Sequence, residues 1–560
     1  MLGVTLANVA IEFEEAKQLK KLGQLRKRGE EQLVKALADR LNLPYLDLTA
    51  VPIFTDALKL IPEEVSHKAE IAAVQRVGKR LQVVTRNPER SEAAAEIERL
   101  RGAGYNLQLF LVSSRSLKKA WDIYKEIPKE LGAITRQIDV SAERLESFRT
   151  EITSTEILKA KVESMSGATT SDLLELIIAG GLATDASDIH LEPQAEAVRL
   201  RYRLDGILQD IAFLPHATFK FLLSRIKLIS EIKLNVKQTA QDGRFTIKSP
   251  GEEIEVRVST LPGPEGENMV MRVLNPKAIG LSLADLGMQP WVEKQIEAEL
   301  KKPNGMIITT GPTGSGKTTT LYAFVKKVHE PGIKIITLED PIEYHLTGIE
   351  QTQVEPDKGY DFASGLRAIL RQDPDVILVG EIRDKETAET AMHASLTGHL
   401  VFSTMHTNNA AGTIPRLIDM EVKPNIIAPA INVSMAQRLV RRLCQSCKKL
   451  RPAAAAELKI IKEELDAMPP KVARPDLGVL QIAEAKGCAD CHGLGYKGRV
   501  GVYELVIIDD AMERLIAKQP SEADIKELAF KQGQITMKQD AILKIIAGIT
   551  DLAEVERVVG

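Results

Sequence analysis

The sequence is poor in aromatic residues, which make up 4% of its 560 positions, and its net charge at pH 7 is only −3. Proteins that bind single-stranded nucleic acid stack bases on aromatic side chains and present a basic surface, so neither property favours nucleic acid as the main ligand. No apolar run reaches the roughly 18 residues that a membrane-spanning helix needs, and the N-terminal segment lacks the pattern of a signal peptide. We therefore expect a cytoplasmic protein that reaches a membrane only by recruitment.

Cysteine is also scarce, and its four residues form two C-x-x-C pairs, Cys444 with Cys447 and Cys488 with Cys491. Such pairs can hold one Zn²⁺ through four thiolates, and a closed shell of four sulfurs leaves no position for a substrate. We therefore predict a structural zinc site. Disulfide bonds or a redox-active pair are the alternatives. The 40 residues between the pairs exceed the usual zinc-ribbon spacing and indicate an inserted excursion.

A chain of this length is too long for one hydrophobic core, and its patterns indicate several domains. In the first of them we expect a helix at Glu30 to Leu41 and a strand at Leu81 to Val84. The alternating segment Val198 to Arg203 predicts a half-exposed sheet with arginine on its polar face. The predicted parts are a small α/β or α+β module at 1–125, a charged helical linker at 126–150, the sheet domain at 151–283, and an α/β domain with a mostly parallel sheet at 284–560.

The segment GPTGSGKT matches G-x-x-x-x-G-K-[ST] and lies between an apolar run, Met306 to Ile308, and a helix-forming run. In a strand–loop–helix unit the glycines let backbone N–H groups surround phosphates, Lys317 supplies a charge to the β- and γ-phosphates, and the Thr318 hydroxyl can reach Mg²⁺. This context predicts a nucleotide-binding loop. Its residues are Gly311, Pro312, Thr313, Gly314, Ser315, Gly316, Lys317, Thr318 and Thr319.

Two further apolar runs end in carboxylates. ITLEDPIE places Glu339, Asp340 and Glu343 after a strand, and VILVGEIRD places Glu381 after the next. Ligands of such sheets meet the carboxyl ends of the strands, where a carboxylate can orient or deprotonate a water or hold Mg²⁺ through water. We expect Glu381 in the Mg²⁺ shell and among the catalytic residues, and Thr318, Glu339 and Asp340 are the other residues predicted to be associated with Mg²⁺. The sequence does not rank Glu339, Asp340 and Glu343 as the base.

A third run, GHLVFSTMHTN, is framed by His399 and His406. Either imidazole could contact the γ-phosphate, and either could be purely structural. Both are retained as candidates for the site.

Together, GPTGSGKTTTLYA, ITLEDPIE, VILVGEIRD and GHLVFSTMHTNNA resemble the Walker A, Asp-box, Walker B and His-box motifs of the secretion-superfamily ATPases, which drive type II secretion and type IV pilus assembly. The resemblance extends upstream through ASDIHLEP to the start of the second predicted domain, and it covers about residues 150–560. It implies a RecA-like P-loop ATPase core preceded by a PAS-like α+β domain.

The resemblance also implies a ring of six subunits, in which the PAS-like domain of one subunit supplies arginines to the nucleotide of its neighbour. By motif position these arginines are Arg244, Arg257 and Arg272. The alternative is that arginines at alternate positions only solvate the outer face of a sheet. Family analogy favours Glu343 as the catalytic base, with Glu339 and Asp340 in support.

In this family a tetracysteine subdomain, here about residues 440–505, is common in the assembly and secretion members and is followed by C-terminal helices. It favours filament extension over retraction. The N-terminal module resembles a docking domain that engages an inner-membrane platform protein, and some members bind cyclic di-GMP there. Only a fragment of that binding repeat is present, with Lys21 where the binding members carry Arg, which argues against cyclic di-GMP.

The function expected from sequence is therefore a hexameric, Mg²⁺-dependent ATPase that powers assembly of a type IV pilus, together with the platform protein and other proteins at the cytoplasmic face of the inner membrane. A type II secretion ATPase is the alternative within the family. A nucleic-acid translocating motor and a switch that binds ATP without hydrolysing it are alternatives from other classes.

Overall fold

The computed structural model describes residues 29–48, 51, 53–124, 137–139, 147–148, 150–152, 154–165, 169–249, 252–275, 280–478 and 480–560. The chain divides into two compact units, Met1–Ala133 and Ile134–Gly560, which are described separately. The cyclic di-GMP repeat fragment around Lys21 lies outside the described residues. Within those residues, none of the helices has the length and apolar character to cross a bilayer.

The first unit is built on a three-stranded sheet. Its strands are β1 (Ile71–Val77), β2 (Arg80–Thr85) and β3 (Asn106–Leu111), with β1 antiparallel and β3 parallel to β2. Its helices are α1 (29–41), α2 (Thr55–Leu58), α3 (Glu63–Ala69), α4 (Ser91–Gly102) and α5 (Ser114–Tyr124). The helix and strand predicted for this module are confirmed by α1 and β2.

The segment predicted as a helical linker is not one continuous helix. Helix α5 ends at Tyr124, and strand β4 (Gln137–Asp139) follows it within the predicted linker. Strand β4 pairs in parallel with β8 (Gln241–Ser249) of the second unit. A strand at the edge of a sheet has unpaired backbone N–H and C=O groups, and β4 pairs with some of those groups of β8. The charged composition of the segment, on which the helix prediction is based, does not show this pairing.

The second unit begins with a seven-stranded sheet in the order β4-β8-β9-β10-β5-β6-β7. Its other strands are β5 (Asp188–Pro193), β6 (Val198–Leu204), β7 (Ile207–Leu214), β9 (Glu252–Gly263) and β10 (Gly266–Leu274). Strand β6 alternates buried and half-exposed positions, so Val198, Leu200 and Tyr202 join the core and the arginines between them do not. This confirms the predicted half-exposed sheet with arginine on its polar face. The helices of this part are α6 (Thr155–Ser164), α7 (Thr170–Ala183) and α8 (His216–Ile229).

A second seven-stranded sheet follows, in the order β13-β12-β14-β15-β11-β16-β19. All its strand pairs are parallel except β16 with β19, as the predicted mostly parallel sheet requires. The strands are β11 (Gly305–Thr310), β12 (Ile335–Glu339), β13 (Glu350–Gln353), β14 (Val376–Val379), β15 (Leu400–Met405), β16 (Ile431–Leu443) and β19 (Tyr496–Ile507). Strands β11, β14 and β15 are buried along their whole length because helices cover both faces of the sheet. The order β12-β14-β15-β11-β16 is that of a RecA-like core.

Helices surround this sheet and complete the C-terminal part of the chain. They are α9 (Pro290–Leu300), α10 (Lys317–Val328), α11 (Phe362–Ile369), α12 (Lys385–Leu396), α13 (Thr413–Asp419), α14 (Pro424–Ala430), α15 (Ala455–Asp466), α16 (Asp510–Ile516), α17 (Glu522–Gln532), α18 (Met537–Ile546) and α19 (Leu552–Val559). The excursion between the cysteine pairs contains α15 and a small antiparallel pair, β17 (Lys449–Pro452) and β18 (Gln481–Glu484). A buried ion pair anchors α18: Asp540 bonds Lys544 at 2.6 Å and accepts the Tyr503 N–H of β19 at 2.8 Å.

Candidate functional site

The predicted nucleotide-binding loop connects β11 to α10, which begins at Lys317. Its three glycines have positive φ angles, 148° at Gly311, 78° at Gly314 and 89° at Gly316. A side chain at Gly311 would place its Cβ 2.6 Å from the Gln437 carbonyl oxygen, and one at Gly316 would lie 2.7 Å from the Gln437 Nε2. Only glycine fits at Gly311 and Gly316, and without side chains there the loop can bring its backbone N–H groups close to phosphate oxygens.

Lys317 is the first residue of α10, and its ammonium group reaches back over the loop to donate to the carbonyls of Gly311 at 2.8 Å and Pro312 at 3.2 Å. Burial lowers the pKa of Lys317 to about 8, the charge of Glu381 opposes this shift, and Arg438 adds to it. The Ser315 hydroxyl is buried and has no hydrogen-bond partner among the described residues. A ligand with phosphate oxygens fits a half-buried ammonium group beside an unpartnered buried hydroxyl.

Glu339 is the last residue of β12, and its carboxylate is held inside the protein. One oxygen accepts from the Tyr322 hydroxyl at 2.5 Å, and the other accepts from Thr337 at 2.6 Å and from Gln351 at 3.0 Å. Both oxygens are therefore engaged by the fold. This geometry suits a supporting carboxylate better than a base that receives a proton from water.

Glu343 has a different environment, because its carboxylate bonds the Arg257 guanidinium at 3.0 Å and stays 29% exposed. Arg257 also donates to the carbonyl of Ile342. The remaining carboxylate of this segment, Asp340, lies 3.9 Å from Arg383. Glu343 is thus the one of the three that meets a predicted arginine of the preceding domain.

Glu381 follows β14 at the same edge of the sheet. It pairs with Arg383, and the His406 Nε2 lies 3.5 Å from its other oxygen. Gly380, which stands where many such strands carry Asp, would place a Cβ 3.1 Å from the Leu338 carbonyl, so the backbone is close there. Glu381 and His406 therefore form one polar cluster, electrostatically coupled to Lys317.

His399 does not join this cluster, which corrects its assignment to the site. It precedes β15, its Nδ1 contacts the Ala394 carbonyl at 2.9 Å, and its own carbonyl accepts from Gly305 at the start of β11. The nucleotide loop begins at the other end of β11, about 16 Å away at the rise of a parallel strand. His399 precedes β15 and His406 follows it, so the two histidines lie at opposite ends of this central strand.

The three predicted arginines lie side by side on neighbouring strands. Arg244 on β8 is paired in register with Arg257 on β9, Arg257 with Arg272 on β10, and Arg272 with Asp188 on β5. Asp188 accepts from the Arg272 Nε at 3.0 Å and lies 3.2 Å from the Arg203 Nε. Directly opposed like charges destabilise a sheet, so this row is suited to an anionic group. The sequence identified the residues but not their adjacency.

Two residues beside the loop were not identified from the sequence. Gln437 and Arg438 lie on β16, which neighbours β11. The Gln437 side chain is buried and accepts from Thr320 of α10 at 2.8 Å. The Arg438 guanidinium donates to the Asn408 carbonyl at 3.2 Å. Finding them requires knowing that β16 packs beside β11, which no local pattern states.

The four cysteines converge where β16 ends and β19 begins, with their sulfurs all within 4.8 Å of one another. The Cys444–Cys488, Cys447–Cys491 and Cys488–Cys491 sulfur distances are each 3.8 Å. Four sulfurs at about 2.3 Å around a tetrahedral Zn²⁺ would be about 3.8 Å apart, whereas a disulfide requires about 2.05 Å. The cluster therefore fits zinc, and the cysteines are free rather than disulfide-bonded.

The chain is similar to known proteins along most of its length. Residues 163–557 match the family described as type II/IV secretion system protein, and residues 41–129 match the MshEN domain. Type II secretion system protein E of Pseudomonas aeruginosa is 44% identical over 386 residues, covering 69% of this chain and 74% of its own. The type IV pilus assembly ATPase PilB of Myxococcus xanthus is 35% identical over 533 residues, covering 94% of this chain and 90% of its own.

Among solved structures, the ATPase DotB of Legionella pneumophila has a TM-score of 0.50 at 20% identity, covering 69% of this chain and 95% of its own, and this likeness supports the fold alone. The sequence relatives carry the assignment. The chain belongs to the type II/IV secretion system protein family, and it is an ATPase.

Proposed function

We propose that this chain hydrolyses ATP to power the assembly of a type IV pilus. The observation that carries the proposal is the relationship to a pilus assembly ATPase along 94% of the chain, which includes the N-terminal unit. The higher identity, 44%, to a type II secretion protein E over 69% of the chain supports the alternative, an ATPase that drives a secretion pseudopilus. Both relatives are consistent with the same ATP site.

For the chemistry, we assign the phosphate chain of ATP to the loop from Gly311 to Thr318, with Lys317 beside the β- and γ-phosphates. Glu343 accepts a proton from the attacking water, because its carboxylate is partly exposed, unlike that of the buried Glu339, and because it meets an arginine of the preceding domain, unlike Asp340. Mg²⁺, when bound, neutralises charge on the phosphates, and Thr318, Asp340 and Glu381 are the residues assigned to its shell.

The arginine row supplies the charge that stabilises the transferred phosphoryl group. A guanidinium presents a rigid fork of donors that matches phosphate oxygens, and arginine fingers contribute about 10³- to 10⁵-fold in other NTPases. In the hexameric ring that the family resemblance implies, each row serves the nucleotide of the neighbouring subunit, and Arg257 then exchanges its pairing with Glu343 of its own chain for that nucleotide. Closing and opening of these contacts moves an inner-membrane platform protein, to which the N-terminal unit recruits the chain.

Zinc bound by the four cysteines has a structural role. With all four sulfurs as ligands, a bound Zn²⁺ would have no open position for water or substrate, so the metal would hold the ends of β16 and β19 together and would take no part in hydrolysis.

The test is Lys317→Ala in the source cells, with expression confirmed, followed by negative-stain electron microscopy of surface filaments and a profile of exported proteins. Lys327→Ala is the matched control, because Lys327 is in the same helix and makes an exposed pair with Glu297. Loss of filaments with export unchanged supports the pilus function. Intact filaments with lost export support the secretion alternative, and a variant that changes neither refutes an ATP-driven motor of either kind.

A further inference from the structure

Arg438 occupies a position that the motifs do not assign. Strand β16 runs parallel to β11 with Ala436 opposite Thr310, so Arg438 lies two residues further on, beside the start of the nucleotide loop. Its Nη1 donates to the Gln437 carbonyl at 3.3 Å, and a Cβ built on Gly311 would be 3.2 Å from that nitrogen. The guanidinium is therefore at the rim of the loop.

Among the described residues, Arg438 has no ion-pair partner, in contrast with Arg257, Arg272 and Arg383 near the site. Arg257 is paired with Glu343, Arg272 with Asp188 and Arg383 with Glu381. Within the part of the chain that the structure describes, Arg438 has no carboxylate oxygen within the 4.0 Å that defines an ion pair. The same is true of Lys317. Two cations without a carboxylate partner thus flank Gly311.

An unpaired, half-buried guanidinium is costly, and a fold keeps one where it meets an anion. Burial lowers the pKa of Arg438, an effect that the more distant charge of Glu504 opposes. Arg438 also has hydrogen-bonding capacity to spare. A guanidinium carries five N–H donors, and Arg438 uses its Nη1 and Nη2 groups on the backbone carbonyls of Gln437 and Asn408.

We propose that Arg438 binds the phosphate chain of ATP in its own subunit, as a second cation beside Lys317. A guanidinium bonds phosphate oxygens through charge-assisted hydrogen bonds with fixed geometry, whereas Lys317 acts as a point charge. Arg438 differs from the row of Arg244, Arg257 and Arg272, which belongs to the preceding sheet. Through the Asn408 carbonyl it also joins the phosphate site to the segment that carries His406. The inference depends on the ATP site and not on which filament the chain assembles.

The experiment measures nucleotide binding by the full-length chain and its variants Arg438→Gln, Arg438→Lys and Arg442→Ala. Arg442 is the control because it is exposed on the same strand. Fluorescent ATP is titrated directly, and tripolyphosphate and adenosine are used as competitors. We expect Arg438→Gln to weaken ATP and tripolyphosphate about 10- to 100-fold, the range of charge-assisted hydrogen bonds, with adenosine unchanged. Arg438→Lys should lose less, and Arg442→Ala should bind like the wild type.

A second measurement uses the wild-type chain and so does not depend on a variant that folds. Phenylglyoxal modifies accessible guanidinium groups, and peptide mass spectrometry reads the modification at Arg438. ATP and tripolyphosphate should protect Arg438 and adenosine should not. Equal weakening of adenosine and tripolyphosphate in Arg438→Gln, wild-type affinity in that variant, or an absence of protection by tripolyphosphate would each overturn the proposal. A wild-type chain that binds no ATP would instead refute the nucleotide site itself.

Discussion

Replacing the two glutamates of the ITLEDPIE segment with glutamine, one at a time, should separate catalysis from stability. Glu339 is buried and receives three hydrogen bonds from neighbouring side chains, whereas Glu343 is 29% exposed and pairs with Arg257. The two residues are four positions apart and chemically identical. The structure nevertheless predicts that the same substitution lowers turnover at Glu343 and stability at Glu339.

The expected magnitudes follow from these contacts. In Glu343→Gln, the lost ion pair is partly exposed and contributes at most about 1 kcal/mol to stability. The loss of a general base should lower kcat by about 10²- to 10⁴-fold, because glutamine cannot accept the proton of water. In Glu339→Gln, the new NH₂ group meets donors that previously faced carboxylate oxygens, and a mismatched buried polar group costs about 1 to 3 kcal/mol.

The assay combines steady-state ATPase rates, ATP affinity and melting temperature for both variants. Glu297→Gln is the control, since Glu297 makes an exposed pair with Lys327 and does not contact the carboxylate cluster. Glu343→Gln should bind ATP and melt close to the wild type while losing turnover, and Glu339→Gln should melt several degrees lower. The reasoning is refuted if Glu343→Gln keeps more than half of the wild-type turnover, or if Glu339→Gln loses turnover with no change in melting temperature.

Three further predictions concern charge and metal. Because the folded-state pKa of Lys317 is about 8, below its usual value, the chain without ATP loses the positive charge of Lys317 as pH rises through 8. ATP affinity should therefore be constant below that pH and fall above it. Fluorescence titrations of ATP from pH 7 to 9.5 measure the affinity, and the affinity of Lys317→Arg should not depend on pH in this way. Mercurial titration of the purified chain should release one zinc per chain, measured with a colorimetric chelator, and Cys447→Ser should lower both the zinc content and the melting temperature, whereas release of no zinc would exclude the four-sulfur site. Asp188→Asn should leave Arg272 without its 3.0 Å partner and lower kcat several-fold more than ATP affinity, and equal losses in both would argue against a role for the row in the transition state.

The sequence predicts best what is encoded locally. The loop glycines, Lys317 and the paired cysteines lie in short motifs whose chemistry depends on neighbours in the chain. The structure gives the glycines positive φ angles and brings the four cysteines together. His399 shows the limit of predicting from local motifs. His399 and His406 lie at the two ends of β15, so the length of the strand separates them. Which of them meets the loop depends on strand direction.

The remaining features depend on long-range packing. Glu339 and Glu343 differ in burial and in their partners: Glu339 accepts from Tyr322 and Gln351 of other elements, whereas Glu343 pairs with Arg257. Arg438 becomes a site candidate only because β16 packs beside β11, and the residues of β16 alone do not show which strand lies next to it. Strand order is a property of the whole sheet, so no window of sequence contains it.

The paired strands β16 and β19 connect the nucleotide loop to the cysteine cluster. In the middle of β16, Gln437 and Arg438 border the nucleotide loop, and Cys444 follows directly after the end of the strand, six residues beyond Arg438. Leu443 is paired with Tyr496 where the two strands meet the cysteine cluster, so a metal bound by the cysteines would fix the register of the two strands.

The same corner reaches the arginine-bearing sheet. The Gly498 N–H of β19 donates to the Asp205 carboxylate at 2.9 Å, and Asp205 lies in the turn between β6 and β7. Burial raises the pKa of Asp205, and the hydrogen bond from Gly498 opposes that shift, so the contact favours the charged form. Arg203, two residues before Asp205, bonds the same Asp188 that holds Arg272. The cysteine cluster is therefore linked by rigid strands to the nucleotide loop on one side and to the arginine row on the other. Loss of the metal should consequently reduce ATP turnover as well as local stability, although no sulfur lies at the nucleotide.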